Sequence, residues 1–396
     1  MTPRSLRQAG FTLVELMVGM ALGLFILIAL LALLANVSRG NSELSKSNRM
    51  IENGRLSMML LQGDIAHAGF WGGYLPQFDD LTSSAAPAAA NLGGEVPTAV
   101  PDPCSPDWSS AEYVANVVGV PIASYEVPGA FSRTTAGTAP VCGSPVAIVK
   151  NPVPATDVLV VRHAEPCAAG DGTEECAAIP NPSGEIYFQA SRCSTDPARY
   201  MMQTAPTGTA TFTLTQRDTV TGTACAAQAP VYKYASTIYY VKLVGGTPTL
   251  MMSRINGGTQ GTAQALIENV EAFVVEFGLD TVSDSGAAVD FTAAVNWAGT
   301  GFTSPTNRGD GNPDTYVRCT SATPCTPAQL MNAVTAKLYV LVRSDEPTSG
   351  HTDGNTYVLG TSGDKLSLGA ANDGYRRQLF TQTIRLTNVS GRRETP

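Results

Sequence analysis

Gly10-Phe11-Thr12-Leu13-Val14-Glu15 opens an apolar run, FTLVELMVGMALGLFILIALLALLA, that continues from Phe11 to Ala35 and constrains everything after it. As a helix these 25 residues span about 37 Å against a hydrocarbon core of about 30 Å, so the run is long enough to cross a membrane once. The ten residues before it, MTPRSLRQAG, are polar and carry Arg4 and Arg7. A secretory signal peptide has a shorter apolar segment, with its small-residue cleavage site behind it. Here the candidate cut site, Gly10, stands in front. A carboxylate at Glu15 costs about 2.5 to 3.5 kcal/mol at a bilayer centre and less near the interface, so it calls for a positive partner.

Helical periodicity continues past the run. Leu44, Ile51, Met58 and Ile65 recur every seven residues, and Leu61 and Ala68 fill the same stripe. No proline interrupts residues 11–75, and Gly69, Gly72 and Gly73 supply a stop, which predicts one helix from about Phe11 to about His67. Such a helix is about 85 Å long, too long for one globular domain to cover. Its apolar half therefore packs first in lipid and later against other helices. Gly19 and Gly23 are either close-packing points between helices or places where the helix melts.

Charged residues are scarce, 25 basic against 33 acidic for a net charge of −8, and no Lys/Arg-rich run offers a footprint for duplex nucleic acid or anionic lipid. Eight cysteines, Cys104, Cys142, Cys167, Cys176, Cys193, Cys225, Cys319 and Cys325, all lie beyond the apolar run and form no C-x-x-C. With His67, His163 and His351 far apart, zinc-ligand spacings are missing too. The even count predicts disulfides in an oxidising compartment, which places the carboxyl-terminal domain outside the cytoplasm. Charges flanking the run do not set its orientation, because Arg39, Lys46 and Arg49 oppose Arg4 and Arg7. Cys319 and Cys325 are expected to close one small loop containing Pro324, and Cys167 and Cys176 a Gly/Glu-rich one; the remaining pairings stay open.

Residues 77–154, rich in Ala, Pro, Gly, Ser and Thr, read as long loops around short strands. Strand candidates follow at Asp157 to Arg162, Glu185 to Ala190, Ala210 to Thr215, Val231 to Val244, Thr249 to Ile255, Ala272 to Leu279, Ala336 to Arg343 and Leu379 to Leu386. The expected fold is α+β: a long amino-terminal transmembrane and amphipathic helix packed on a mainly antiparallel β-sheet domain with a disulfide-containing insertion. Its expected segments are a leader at 1–10, the helix at 11–75 with its membrane part at 11–35, a loop-rich insertion at 76–230, and a sheet domain at 231–396.

Little in the chain points to catalysis. His163-Ala164-Glu165 before Pro166-Cys167 lacks the spacing and closing C-x-x-C of a zinc deaminase. No G-x-S-x-G, P-loop or H-E-x-x-H occurs, so an enzyme is not expected, and neither is a cofactor. Asp310, Asn312 and Asp314 alternate as calcium ligands do, without the turn glycine and terminal Glu of an EF-hand, and read more simply as a solvated turn.

Gly10 to Glu15 resembles the prepilin peptidase motif of type IV pilins and type II secretion pseudopilins. The resemblance implies cleavage after Gly10, N-methylation of Phe11, and pairing of Glu15 with the terminal amine of a neighbouring subunit. The stretch Glu52-Asn53-Gly54-Arg55 through Gln62-Gly63-Asp64-Ile65-Ala66-His67-Ala68-Gly69-Phe70-Trp71-Gly72-Gly73-Tyr74 is similar to the helix end of PilW-type minor pilins and of the larger pseudopilins. Leu266 to Asp280, Tyr375 to Phe380 and Ile384 to Asn388 extend the likeness. It implies a minor pilin that initiates or caps a type IV pilus serving adhesion, twitching motility or DNA uptake. Implied partners are other major and minor pilins, the prepilin peptidase, the inner-membrane assembly platform and a large tip adhesin. The implied location is the inner membrane, with a periplasmic domain, and then the pilus at the cell surface. A pseudopilin at the tip of a type II secretion filament, or a pilus-tip adhesin whose insertion binds a ligand, are the alternatives.

Overall fold

The computed structural model describes residues 10, 12–76, 97–143, 148–172, 176–179, 184–193, 195–205, 212–217, 225–283, 285–289 and 309–390. Helix α1 runs from Leu13 to His67, 55 residues, as its uninterrupted apolar and amphipathic pattern requires. Thr12 caps its start, and Gly69, at φ +74°, takes the left-handed turn that ends it. Two different halves result. Every described residue from Thr12 to Ser42 is exposed, and none of the most apolar window is buried. From Glu43 onward one stripe sinks into the head domain: Lys46, Met50, Gly54, Ser57, Met58, Leu61 and Ile65.

That stripe departs from the predicted seven-residue series, since Leu44 is exposed and Ile51 only half-buried. A straight α-helix drifts about 20° per seven residues. The buried face therefore tracks Lys46, Met50 and Gly54 at its upper end, and meets the predicted series at Met58, Leu61, Ile65 and, just past the helix, Ala68.

Two antiparallel sheets receive this helix. In the larger, β1 (Ile122–Glu126), β2 (Asp157–Ala168), β7 (Val231–Val244), β3 (Ile186–Ala190) and β4 (Tyr200–Thr204) lie in that order. Strand β8 (Thr247–Asn256) also pairs with β7 and carries β9 (Thr259–Gln260) and β10 (Gln264–Glu268). Since β7 bonds to both β2 and β3, one sheet contains strands from either side of residue 230. A separate hairpin joins β5 (Thr215–Arg217) to β6 (Cys225–Gln228). Helix α2 (Ala111–Gly119), capped by Ser110, buries Val114, Val117 and Val118 within the stretch expected to be loops and short strands.

The second sheet has the order β12 (Thr315–Val317), β11 (Val270–Leu279), β13 (Ala333–Arg343), β16 (Arg377–Arg385). Strand β11 is buried along its whole length because both its faces are covered. Phe273, Val275 and Phe277 join Met58, Leu61 and Ile65 of α1 in the main core, which also takes Ile122, Leu159, Val161 and Val241 from the larger sheet. Ala272 and Val274 point the other way, towards Leu359, Leu366 and Leu368 around the hairpin β14 (Tyr357–Leu359)/β15 (Leu366–Leu368). Alternation along a strand puts successive side chains on opposite faces, and here each face has its own core. Two short helices, α3 (Pro327–Met331) and α4 (Thr387–Ser390), complete the elements among the described residues.

One strand expectation fails among the described residues. Phe212 to Leu214 is not a strand, and Ala210 and Thr211 lie outside the described residues. Leu214 N–H donates to the Gln189 side-chain oxygen at 3.0 Å, and Gln189 Nε2 donates to Leu214 O at 3.1 Å. A buried side-chain amide thus replaces a neighbouring strand. Four disulfides join Cys104 to Cys142, Cys167 to Cys176, Cys193 to Cys225, and Cys319 to Cys325.

Candidate assembly surface on the long helix

At the amino end, the spacing Thr12-Leu13-Val14-Glu15 builds a capping box. Glu15 Oε2 accepts from Thr12 N–H at 2.9 Å and from its hydroxyl at 3.0 Å, while Thr12 Oγ1 accepts from Glu15 N–H at 3.3 Å. This role was legible as the T-x-x-E signature of a helix start, and it gives Glu15 a partner within its own chain. Gly10 lies just ahead, exposed, with open space around it. Phe11 is outside the described residues.

About 45 Å of helix projects between Thr12 and Ser42. Where the helix meets the head, the loop after β13 and the residue ahead of β16 hold it by polar contacts. Glu43 accepts from the Thr348 hydroxyl at 2.6 Å and from Arg376 Nε at 3.4 Å. Thr348, with Lys46 and Arg376, holds the Glu43 carboxyl below its ordinary range. Lys46 donates to Pro347 O at 3.2 Å, and Arg49 pairs with Asp345 at 2.7 Å. Exposed pairs of this kind contribute little each; Lys46, with its side chain 10% exposed, is the buried member.

Further along, Gly54 lets α1 approach β16 so closely that a Cβ there would overlap the Phe380 ring. Asn388 of α4 donates to Ala68 O at 3.2 Å and reaches Ala66 O at 3.5 Å, satisfying carbonyls that the helix end leaves open. Beside Met59, the exposed side of α1 forms a shallow groove of about 390 Å³ with Ile51, Arg55 and Leu56.

The remaining candidate residues are dispersed. Asp314 Oδ2 accepts from the N–H groups of Thr281 and Val282 at 2.7 and 2.8 Å, and Asp310 Oδ1 accepts from Asn312 N–H at 2.8 Å. These oxygens are engaged in holding the loop. Among the described residues one group, Asp102, Cys104 and Cys142, has the compactness of a metal site, but its cysteines are bonded to each other and offer no thiolate. Cys167 is likewise tied to Cys176, while His163 faces Asp64 of α1, a pairing that nothing in the sequence announces.

A long helix, half of it apolar, uncovered and long enough to cross a membrane, and half seated on antiparallel sheets, has the layout of a pilin-like subunit. Residues 5–31 match the model of the prokaryotic N-terminal methylation motif, and residues 238–388 match that of type IV pilus-assembly protein W. In these two segments the chain is similar to type IV pilins and to the PilW family. Its family match begins within β7 and ends within α4, taking in the whole second sheet. Among curated proteins none matches the sequence. A solved type IV-like pilin from Thermus thermophilus is 16% identical over 44% of this chain and 74% of its own, at a TM-score of 0.19, too low to bear on the fold.

Proposed function

We propose that this chain is a minor pilin that enters a type IV pilus and helps to initiate or cap its assembly. The observation that carries the reading is the division of α1: an apolar half with none of its most apolar window buried, continuous with a half docked in the head. Exposed apolar helix of that length is stable only in lipid or against other helices. In this reading the prepilin peptidase cuts after Gly10 and Phe11 is N-methylated. The head domain stands in the periplasm, where its four disulfides form, and the inner-membrane platform transfers the subunit to the filament. Other pilins surround α1 there, and Glu15 meets the amine of a neighbour. The described residues between 97 and 230 supply bulk next to the carboxyl end of α1, which suits a subunit at an end of the filament.

A deletion strain tests the reading. Loss of surface pili and twitching, restored by the wild-type gene but not by Gly10→Val, is expected. The Gly10→Val product should accumulate in membranes with Arg4 and Arg7 still attached, as mass spectrometry would show. Intact piliation with loss of protein secretion overturns the proposal.

A further inference from the structure

His163 sits on β2, 6% exposed, between two oxygen atoms. Its Nδ1 is 2.9 Å from Ala164 O, and its Nε2 is 3.0 Å from Asp64 Oδ1 on α1. Both neighbours accept hydrogen bonds. Neutral imidazole carries one N–H and satisfies one of them, whereas imidazolium carries two and satisfies both. Asp64 points to the same protonation state: its side chain is 7% exposed and its Oδ2 has no hydrogen-bond partner. A carboxylate so enclosed is costly unless a positive charge adjoins it.

We propose that Asp64 and His163 form a proton-operated latch between the last turns of α1 and the larger sheet, shut while His163 is imidazolium and loosened when it becomes neutral. The surroundings supply the charge balance and the room. On α1, His67 places its ring 5.7 Å from that of His163 and sets its own Nδ1 against Gly63 O. Glu165 follows on β2, while Tyr239 on β7 and Arg254 on β8 line the same open cavity of about 470 Å³ with Asp64, His67 and His163. Burial disfavours the cation, but the Asp64 carboxylate, Ala164 O and Glu165 outweigh it, so the His163 pKa is raised.

The direction follows from linkage. A histidine whose folded pKa exceeds its unfolded value stabilises fully below the unfolded value, about 6.5, and loses that contribution as pH rises through the folded one. What opens is limited, because Gly69 N–H still donates to Arg162 O at 3.0 Å and that backbone bond does not titrate. The turn around Leu60 to His67 is the part released, beside a cavity that admits water to the neutral ring. The latch belongs to a single chain, so its test is separate from that of filament assembly.

Full-length protein in detergent micelles, with 13Cε1-labelled histidine, gives the titration of His163 once His67→Gln and His351→Gln have assigned the other two signals. A midpoint above about 6.5 is expected in the wild type. In Asp64→Asn it should fall below that value, a loss of proton affinity. Amide exchange of the peptide spanning Leu60 to Ala68, corrected for intrinsic rates, should show a step of lost protection across the wild-type midpoint and none in His163→Gln. A wild-type midpoint at or below 6.5, or one unmoved by Asp64→Asn, overturns the latch. So does exchange that shows no step. If His163→Gln does not fold, the comparison of wild type with Asp64→Asn decides the question alone.

Discussion

Arg318 and Asp157 stand 161 residues apart in the chain and meet in the interior, Arg318 Nη2 donating to Asp157 Oδ1 at 2.6 Å. Nε adds bonds of 3.1 and 3.2 Å to the same carboxylate, whose Oδ2 also accepts from Val275 N–H at 2.8 Å. Arg318 reaches Ala155 O and Asp364 O with its remaining donors. The start of β2 is thereby fastened to β11 and to the loop after β12, joining the two sheets at one point.

Removing the cation leaves the carboxylate buried and uncompensated, which typically costs about 3 to 5 kcal/mol. Arg318→Met should therefore lose stability by about that amount in chemical unfolding at pH 7. Asp157 in the variant has a raised pKa, so its ionisation opposes folding as pH rises and the deficit should shrink in acid. Equal stability of variant and wild type at pH 7 would show that the pair is only a bystander.

Asp280, at the end of β11, is pushed up to about 6 by burial, with Asp310 and Asp314 adding to the shift and the N–H of Gly311 opposing it. A carboxyl raised in the folded state binds its proton more tightly there than in the unfolded chain. Its contribution is present below about pH 4 and is lost as pH rises through about 6. The thermal midpoint should fall across this window, and Asp280→Asn should flatten the profile. A slope that survives the substitution would assign it to another group.

Gly54 makes the contact between α1 and β16 possible. Gly54→Ala should cost about 1 to 3 kcal/mol, as overpacking of a fitted core does, despite the better helix propensity of alanine. Combining it with Phe380→Leu, which removes the ring it would strike, should recover part of the loss. Additive losses in calorimetry would place the strain elsewhere.

Glu15 has two candidate partners, its own Thr12 and a neighbouring subunit, and a pair of substitutions separates them. Thr12→Ala removes the capping hydroxyl but keeps the carboxylate, whereas Glu15→Ala removes both roles. Membrane insertion and cleavage should survive both changes, and Glu15→Ala alone should deplete the subunit from sheared filaments. Equal depletion by Thr12→Ala would make the helix cap the important function; normal incorporation of Glu15→Ala would end the pairing idea.

Some of this was open to reading from residues alone. The uncovered half of α1 follows from 25 consecutive residues of one character, and the helix continues to His67 because periodicity and the absence of proline are local properties. Helix α2 escaped notice because nine residues within an Ala- and Pro-rich stretch carry too little periodicity to stand out. Leu214 failed as a strand because Gln189, far away in sequence, took its backbone bonds.

Sequence by itself therefore determined the long helix, its division into exposed and docked halves, and the amino-terminal methylation motif, all of which depend on neighbours along the chain. Only the tertiary structure decided which stripe of α1 is buried, that Gly54 rather than a larger residue faces Phe380, and which charges pair: Arg318 with Asp157, and His163 with Asp64. The reason is that each such contact joins residues about 100 or more positions apart, whose meeting depends on the register of strands paired across the whole fold.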